Sequence, residues 1–597
     1  MFVEADNPPK EELKKLMAFY SSGELLKVKD GAEAFLKEYD QSVFLWNLLG
    51  AVFLGLTRFV DAERCFKKTI ELLPDFAEGY CNYGLAIHKQ GKINQAIEIY
   101  KKTLDLKPDL AEVHNNLGHL YRTQKKHVEA IEAYKQALKA NPGLREAKLY
   151  KFQEQARICD WSFYEEYQAL SPQLGREGAP IEPFSLISKE DNPQLQLRCA
   201  RDCATRKLKR KEYVFTPSGR EKPEKLKIGY FSSDLTNHPV MHLVAGMLEN
   251  HNREKFEIFA FYYGPKDEHP MLEQARKSVD EFVDVTELED AEIIDLVRAK
   301  GIDVAVDMNG YTGNSKTGLF AYRLAPIQIN YLGYPSTMGA EFMDYIVGDE
   351  TLIPDHLRQY YSENVIYMPD TYQPNDNTRV LSKETMCRSD YNLPQDGFVF
   401  CCFNNNYKIT PQEFDIWMNL LHRVEGSVLW LLKANQWTEA NILKEAQARG
   451  IAPERIIFAG RVANDVHLAR QKLADLFLDT FNYNAHTTTS DALWAGLPVL
   501  TKIGQQFAAR VAASLLNAAQ LPELITETPS EYEELAYQLA TSKQNMLKEF
   551  RQRLEESRLS VPLFDTLRYT RNIELAYEEA YHLFMSGQKP TDLRIGA

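Results

Sequence analysis

The 597-residue sequence is poor in the features that mark several function classes. It has no run of about 18 apolar residues, so no membrane-spanning helix is expected. Its opening stretch, MFVEADNPPKEELKK, lacks a basic segment followed by an apolar one, and no signal peptide is expected. The 8 cysteines are scattered without a CxxC pair, which argues against a zinc site and for reduced, cytoplasmic usage. Basic charge is not in excess. A formal net charge of -14 argues against the broad positive field of a general nucleic-acid binder. No GxGxxG follows a strand-like segment, which disfavours a nicotinamide enzyme. No acidic DxD-type pair obliges a cation, so neither metal nor cofactor is expected.

What is present begins with a period of 34 residues. Gly50, Gly84 and Gly118 fall in one column, Ala62, Ala96 and Ala130 in a second. Phe66, Tyr100 and Tyr134 form a third, Pro74, Pro108 and Pro142 a fourth. The pattern resembles the tetratricopeptide repeat, a pair of antiparallel helices. Gly and Ala stand where two helices approach, aromatics fill the gap between them, and proline helps to end the second helix. Clear repeats are expected over 42–75, 76–109 and 110–143, with a degenerate helix pair within about 8–41, giving a repeat domain over 1–145. Such arrays present a concave face to a partner. Asn82 and Asn116 share the period and can both donate to and accept from a peptide backbone, which makes them acceptor-binding candidates.

Residues 146–225 read as a helical linker ending in the connector TPSGREKPEK. From Lys227 the period changes. KIGYFSS, KFEIFAFYY, GIDVAVDMNG and PIQINYLGY are strand-like, with helical patterns such as HPMLEQARKSVDEF and DAEIIDLVRAKG between them. A second series starts at FVFCCFNN. The alternation predicts two doubly wound α/β lobes, over 226–385 and 386–597, with a ligand crevice at the carboxyl ends of their strands.

Two segments carry chemistry. In LDTFNYNAHTTTSDALWAGLPVLT a strand ends at Asp479, and a helix begins near Thr487, Thr488 and Thr489. Free amides and hydroxyls there suit a diphosphate, although a Thr pair before a helix also serves as a plain cap. In CCFNNNYKITP, Lys408 follows a strand of the same lobe and supplies a compact positive charge.

With SSDLTNHPVMH, DMNGYT, APIQINYLGYPSTMGAEFMDYI, FNNNYKITP and NAHTTTSDALWAGLPVLT, the chain resembles the protein O-GlcNAc transferase and SPINDLY family. The resemblance implies tetratricopeptide repeats followed by a two-lobed GT-B transferase. It implies an inverting transfer of GlcNAc from UDP-GlcNAc to Ser/Thr hydroxyls of proteins. By position it assigns Lys408, His486, Thr487 and Thr488 to the diphosphate, Asp491 to ribose, His467 with nearby Arg470 to uracil, and Asn405 to phosphate or ribose. Tyr407 would neighbour the sugar and acceptor. His238 would stand at the reaction centre as first choice of general base, with the phosphate itself or Asp303 as alternatives. Tyr483 stands where the animal enzyme has a small cysteine near the N-acetyl group, and Asp303 and Asp307 where it has His and Asn. UDP-glucose, GDP-fucose or an Asn acceptor, and an inactive repeat adaptor, are the rival readings. The expected partners are acceptor proteins or peptides bound by the repeats and UDP-GlcNAc, with no nucleic acid and no membrane; a homo-oligomer is left open.

Overall fold

The computed structural model describes residues 6–176, 178, 180–208, 213–217 and 223–596. Residues 1–5 of the opening stretch and 218–222 of the connector lie outside the described residues. The chain divides into two units, Met1–Gln155 and Ala156–Ala597.

The first unit is made of helix pairs: α1 (Lys10–Ser21) and α2 (Leu25–Phe35), α3 (Val43–Gly55) and α4 (Phe59–Leu72), α5 (Ala77–Lys89) and α6 (Ile93–Leu106), α7 (Ala111–Thr123) and α8 (His127–Ala140). The periodic columns have a steric cause. Phe66, Tyr100 and Tyr134 are fully buried. Each ring lies flat on the glycine of the preceding helix: a Cβ on Gly50 or Gly84 would meet ring carbon at 2.6 or 2.5 Å, and one on Gly118 would come closer still. No side chain fits there without pushing the helices apart. Ala62, Ala96 and Ala130 are also fully buried. Pro74, Pro108 and Pro142 each stand just past the end of a second helix.

In the second unit, two parallel sheets carry the architecture. The first contains β1 (Leu226–Ser232), β2 (Phe256–Tyr262), β3 (Glu281–Asp284), β4 (Val304–Asp307), β5 (Ile327–Asn330), β6 (Tyr345–Gly348) and β7 (Asn364–Tyr367). The other contains β8 (Val399–Cys402), β9 (Val428–Leu432), β10 (Ile456–Ala459), β11 (Leu476–Leu478), β12 (Val499–Lys502) and β13 (Ile525–Thr526). A last strand, β14 (Leu593–Arg594), returns to the first sheet. The orders among the described residues are β14-β7-β6-β5-β4-β1-β2-β3 and β10-β9-β8-β11-β12-β13. β1, β2, β4, β5, β6 and β8 are almost wholly buried, as strands covered on both faces must be.

Three sequence expectations are corrected. Residues 146–225, expected as a helical linker, do contain helices, but from Ala156 onward they belong to the second unit. Trp161, Phe163, Leu195, Cys199 and Ala200 are buried. Thr438 and Asn441 donate to the carbonyls of Arg157 and Ile158 (3.1 and 2.8 Å), and the Asp191 carboxylate accepts the amides of Gln505 and Gln506. Helices with such apolar faces cannot remain undocked. The second lobe also does not keep residues 386–597 entire. The helix Thr566–Met585 packs on the first lobe's helix Pro239–Asn250, and β14 pairs with β7. Its buried stripe of Tyr569, Ile573, Ala576, Tyr577 and Ala580 faces that lobe, where Tyr569 meets the Tyr331 hydroxyl at 2.6 Å and Glu574 accepts the Asn252 amide at 2.7 Å. Finally, the helix expected over HPMLEQARKSVDEF stops at Lys277, and its end enters β3, where strand pairing with β2 overrides the helical pattern.

Candidate active site

Each sheet reverses its strand order once, between β1 and β4 and between β8 and β11. Loops leaving the carboxyl ends diverge at such points and open a crevice. The expected site residues of the second lobe gather at the β8/β11 point. After β11, the buried Asp479 carboxylate folds the loop back on itself. It accepts the amides of Thr480 (2.8 Å) and Ala485 (2.6 Å), the Asn404 amide group (3.2 Å) and the Thr501 hydroxyl (2.7 Å). After β8, the turn Asn406–Lys408 delivers Lys408 beneath that loop. Its ammonium donates to the Asn484 carbonyl at 2.9 Å and lies 3.6 Å from the centre of the Tyr483 ring. The same loop runs directly into the helix Thr487–Trp494, so Lys408 and the helix tip lie together.

Burial dominates the electrostatics here. It lowers the Lys408 ammonium to about 7, against the opposing pull of Asp479. Asp479 itself is raised to about 6 by desolvation. His486 is pushed well below its usual value, by burial first and by Lys408 second. Its Nε2–H donates to the Ala508 carbonyl at 3.1 Å. His486 occupies the cap position without a side-chain cap bond, so the first helix amides remain available. The three threonines do not converge as expected. Thr489 is buried and turned back to the Ala485 carbonyl (2.9 Å), and Thr488 donates to Asn404 Oδ1 (2.5 Å), leaving Thr487 nearest to a free hydroxyl at the tip. Thr489 turns inward because its helical position lets the hydroxyl reach the carbonyl four residues back.

Further along the crevice, the expected uracil and ribose residues meet. His467 Nδ1 accepts from Arg470 (3.1 and 2.9 Å to Nε and an NH group), and the Phe403 ring stands edge-on to it at 5.3 Å. Burial lowers His467 to about 4, so the ring is neutral. Asp491 contacts Arg379 at 2.7 Å. Asn405 is exposed at the rim, and Tyr407 is half-buried with its ring 6.4 Å from Tyr483. Tyr483 is itself buried and packs in one apolar cluster with Tyr334 and Met338 of the first lobe.

In the first lobe, His238 caps the helix Pro239–Asn250 through Nδ1, which accepts the Val240 amide at 3.3 Å. Asp234 is 3.8 Å away, beyond a hydrogen bond. Burial lowers His238, with Asp234 opposing, so the neutral ring carries its proton on Nε2 and presents a donor. His238, expected as the general base, thus stands at the start of this helix with Nδ1 engaged by the Val240 amide. Asp303 is corrected. It precedes β4, at the end of the sheet remote from the crevice, and accepts the Lys227 amide at 3.0 Å. Asp307, at the carboxyl end of β4, is buried and accepts the amides of Asn309 and Gly310 at 3.0 and 2.9 Å. Asn309 joins that turn to the β1 exit through Ser233 (3.0 Å) and Asp234 (2.7 Å).

In the first unit, Asn82 donates to Asn47 (3.0 Å) and Asn116 to the Tyr100 hydroxyl (3.3 Å), so the two are not joined and each has one amide proton engaged.

The profile of glycosyl transferase family 41 matches residues 187–386 and 383–573, which is more than half the chain. The chain belongs to glycosyl transferase family 41. A tetratricopeptide-repeat profile matches residues 75–142. The chain is 36% identical over 460 residues to a protein of Arabidopsis thaliana named a probable UDP-N-acetylglucosamine–peptide N-acetylglucosaminyltransferase SEC, covering 73% of this chain and 47% of that one. A Caenorhabditis elegans protein named for the same transfer is 29% identical over 476 residues, covering 61% and 41%. The chain thus spans less than half the length of these curated relatives. A solved structure of a lysine-to-methionine mutant of Thermobaculum terrenum O-GlcNAc transferase shares the fold, with a TM-score of 0.67, 26% identity, and coverage of 91% of this chain and 98% of that one. As a family 41 member, the chain carries residues at its crevice that sequence reasoning passed over: Asn404, Asn309, His242 and Arg379. Asn404 and Asn309 lay inside quoted motifs, but their roles depend on partners 75 and 76 residues away.

Proposed function

We propose that this chain is an inverting glycosyltransferase that moves GlcNAc from UDP-GlcNAc to serine or threonine hydroxyls of proteins. One observation carries the reading: a buried ammonium and an uncapped helix tip are served by one loop at a topological switch point. An amine and backbone amides together suit a pyrophosphate. As the acceptor oxygen attacks C1 from the opposite face, negative charge grows on the departing diphosphate. Lys408 and the amides at Thr487 and Thr488 are fixed in place to stabilise it, with no reorganisation needed. His238, a donor through Nε2, steadies an oxygen of donor or acceptor, and a phosphate oxygen takes the acceptor's proton. Asp491 holds ribose, His467 with Arg470 faces the base, and Asn405 and Tyr407 line the open rim. The names of the Arabidopsis and nematode relatives support this donor and a peptide acceptor. The repeats, with Asn82 and Asn116, are the proposed acceptor-holding surface, and the cytoplasm the proposed location.

Incubating the protein with UDP-GlcNAc and a cell lysate, followed by peptide mass spectrometry, tests the reading. An added N-acetylhexosamine on Ser or Thr is expected. A different sugar, or none, would overturn the donor assignment.

A further inference from the structure

Arg379 lies between β7 and β8, in the segment joining the two lobes, and contacts the proposed ribose carboxylate. Its side chain is 7% exposed and that of Asp491 is 9%. Charge is balanced across the 2.7 Å contact, but hydrogen bonding is not. Arg379 Nε is buried without a hydrogen-bond partner, and Asp491 Oδ1, the oxygen of the 2.7 Å contact, is buried and meets the guanidinium without an aligned N–H. One is an obligate donor, the other an obligate acceptor. The same segment is tied to the turn that begins the base-facing helix Asn464–Arg470: Arg379 reaches Asn464 Oδ1 at 3.4 Å, and the Ser382 amide donates to the Asp465 carbonyl at 3.1 Å. His242 of the first lobe and His467 of the second lie within electrostatic reach of the pair.

A hydroxyl is the small group that answers both needs, donating to a carboxylate while accepting from an N–H. We infer that Arg379 is a specificity-determining residue that reads the ribose diol jointly with Asp491, each hydroxyl bridging the two charged groups. The inference rests on the nucleotide reading above and goes beyond it, since it adds Arg379, from the segment joining the lobes, to the contact that Asp491 makes with the ribose. An analogue lacking the 2′-hydroxyl leaves a buried hydrogen-bonding need of this ion pair unanswered, and sites built to bond a hydroxyl reject such analogues strongly.

The test is calorimetric titration of the full chain with UDP and with 2′-deoxy-UDP. The wild type should bind UDP tighter by about tenfold or more. Arg379→Met should bring the ratio to within about threefold, and Arg379→Lys, which keeps the charge but lacks the planar fork, should lower it severalfold. Thermal melts check that the variants fold; should Arg379→Met fail to fold, the wild-type ratio and the lysine variant decide. Equal wild-type affinities overturn the inference, as do variants that weaken both nucleotides together with the ratio kept, which is what a purely structural role produces. A wild type that binds neither nucleotide is a different failure, that of the nucleotide reading itself.

Discussion

The titration of Lys408 yields a quantitative expectation for donor binding. Burial places its ammonium at about 7, so the empty site holds the full positive charge at pH 6 and loses it as the pH rises. A diphosphate binds the charged form, and the charged fraction falls about tenfold between pH 6 and 8 and about tenfold again by pH 9. Affinity for UDP-GlcNAc, whose diphosphate has no proton to lose in this range, should fall in the same proportion until the raised ammonium pKa of the complex is passed. His242 and His467 do not contribute, because burial holds both at about 4, and burial pushes His486 well below its usual value. Asp479, at about 6, and Glu413, raised by burial to about 7, gain negative charge over the same window and act in the same direction. Lys408→Arg separates the contributions, since a guanidinium stays charged throughout and any slope left belongs to the carboxylates. Isothermal titration at pH 6, 7, 8 and 9 on both proteins is the assay. A wild-type affinity that stays flat across the range, or an arginine variant with the full wild-type slope, would refute the assignment of the titrating charge to Lys408.

Other outcomes follow from the same geometry. Lys408→Ala should lower turnover by about a hundredfold or more while partner capture by the repeats persists, measured by sugar transfer and pull-down. Asp303→Asn should leave turnover within about twofold, because that carboxylate lies at the far end of β4 and the amide oxygen can still accept from Lys227. Asp479→Asn should destabilise the protein by about 1–3 kcal/mol and weaken UDP binding, because an amide group can no longer accept from all four donors that close the loop, as read by denaturant unfolding and titration. Gly84→Val should destabilise the repeat unit by about 1–3 kcal/mol, because a Cβ there meets the Tyr100 ring at 2.5 Å, and calorimetry should show the loss in the repeat transition.

How much could be read from the sequence depended on how local each cause was. The repeat columns were legible because each rests on a contact made afresh in every unit, such as the ring of Tyr134 lying on Gly118 just 16 residues earlier. Lys408 and the Thr487 tip were legible for a similar reason: a cation or a helix start directly after a buried strand has few other places to be. Arg379 gave no such sign, since its meaning lies in Asp491, 112 residues onward in another lobe. Asp303 went astray, and the bond made by His238 Nδ1 went unforeseen, through one shared gap. Residue type and distance from a strand do not reveal direction. A histidine before proline looks like a free base until the helix it begins takes its Nδ1, and an aspartate beside a strand looks catalytic until the strand's polarity puts it at the closed end. The chemistry of the crevice is therefore set less by which ionisable residues it holds than by which of their lone pairs the backbone has already claimed.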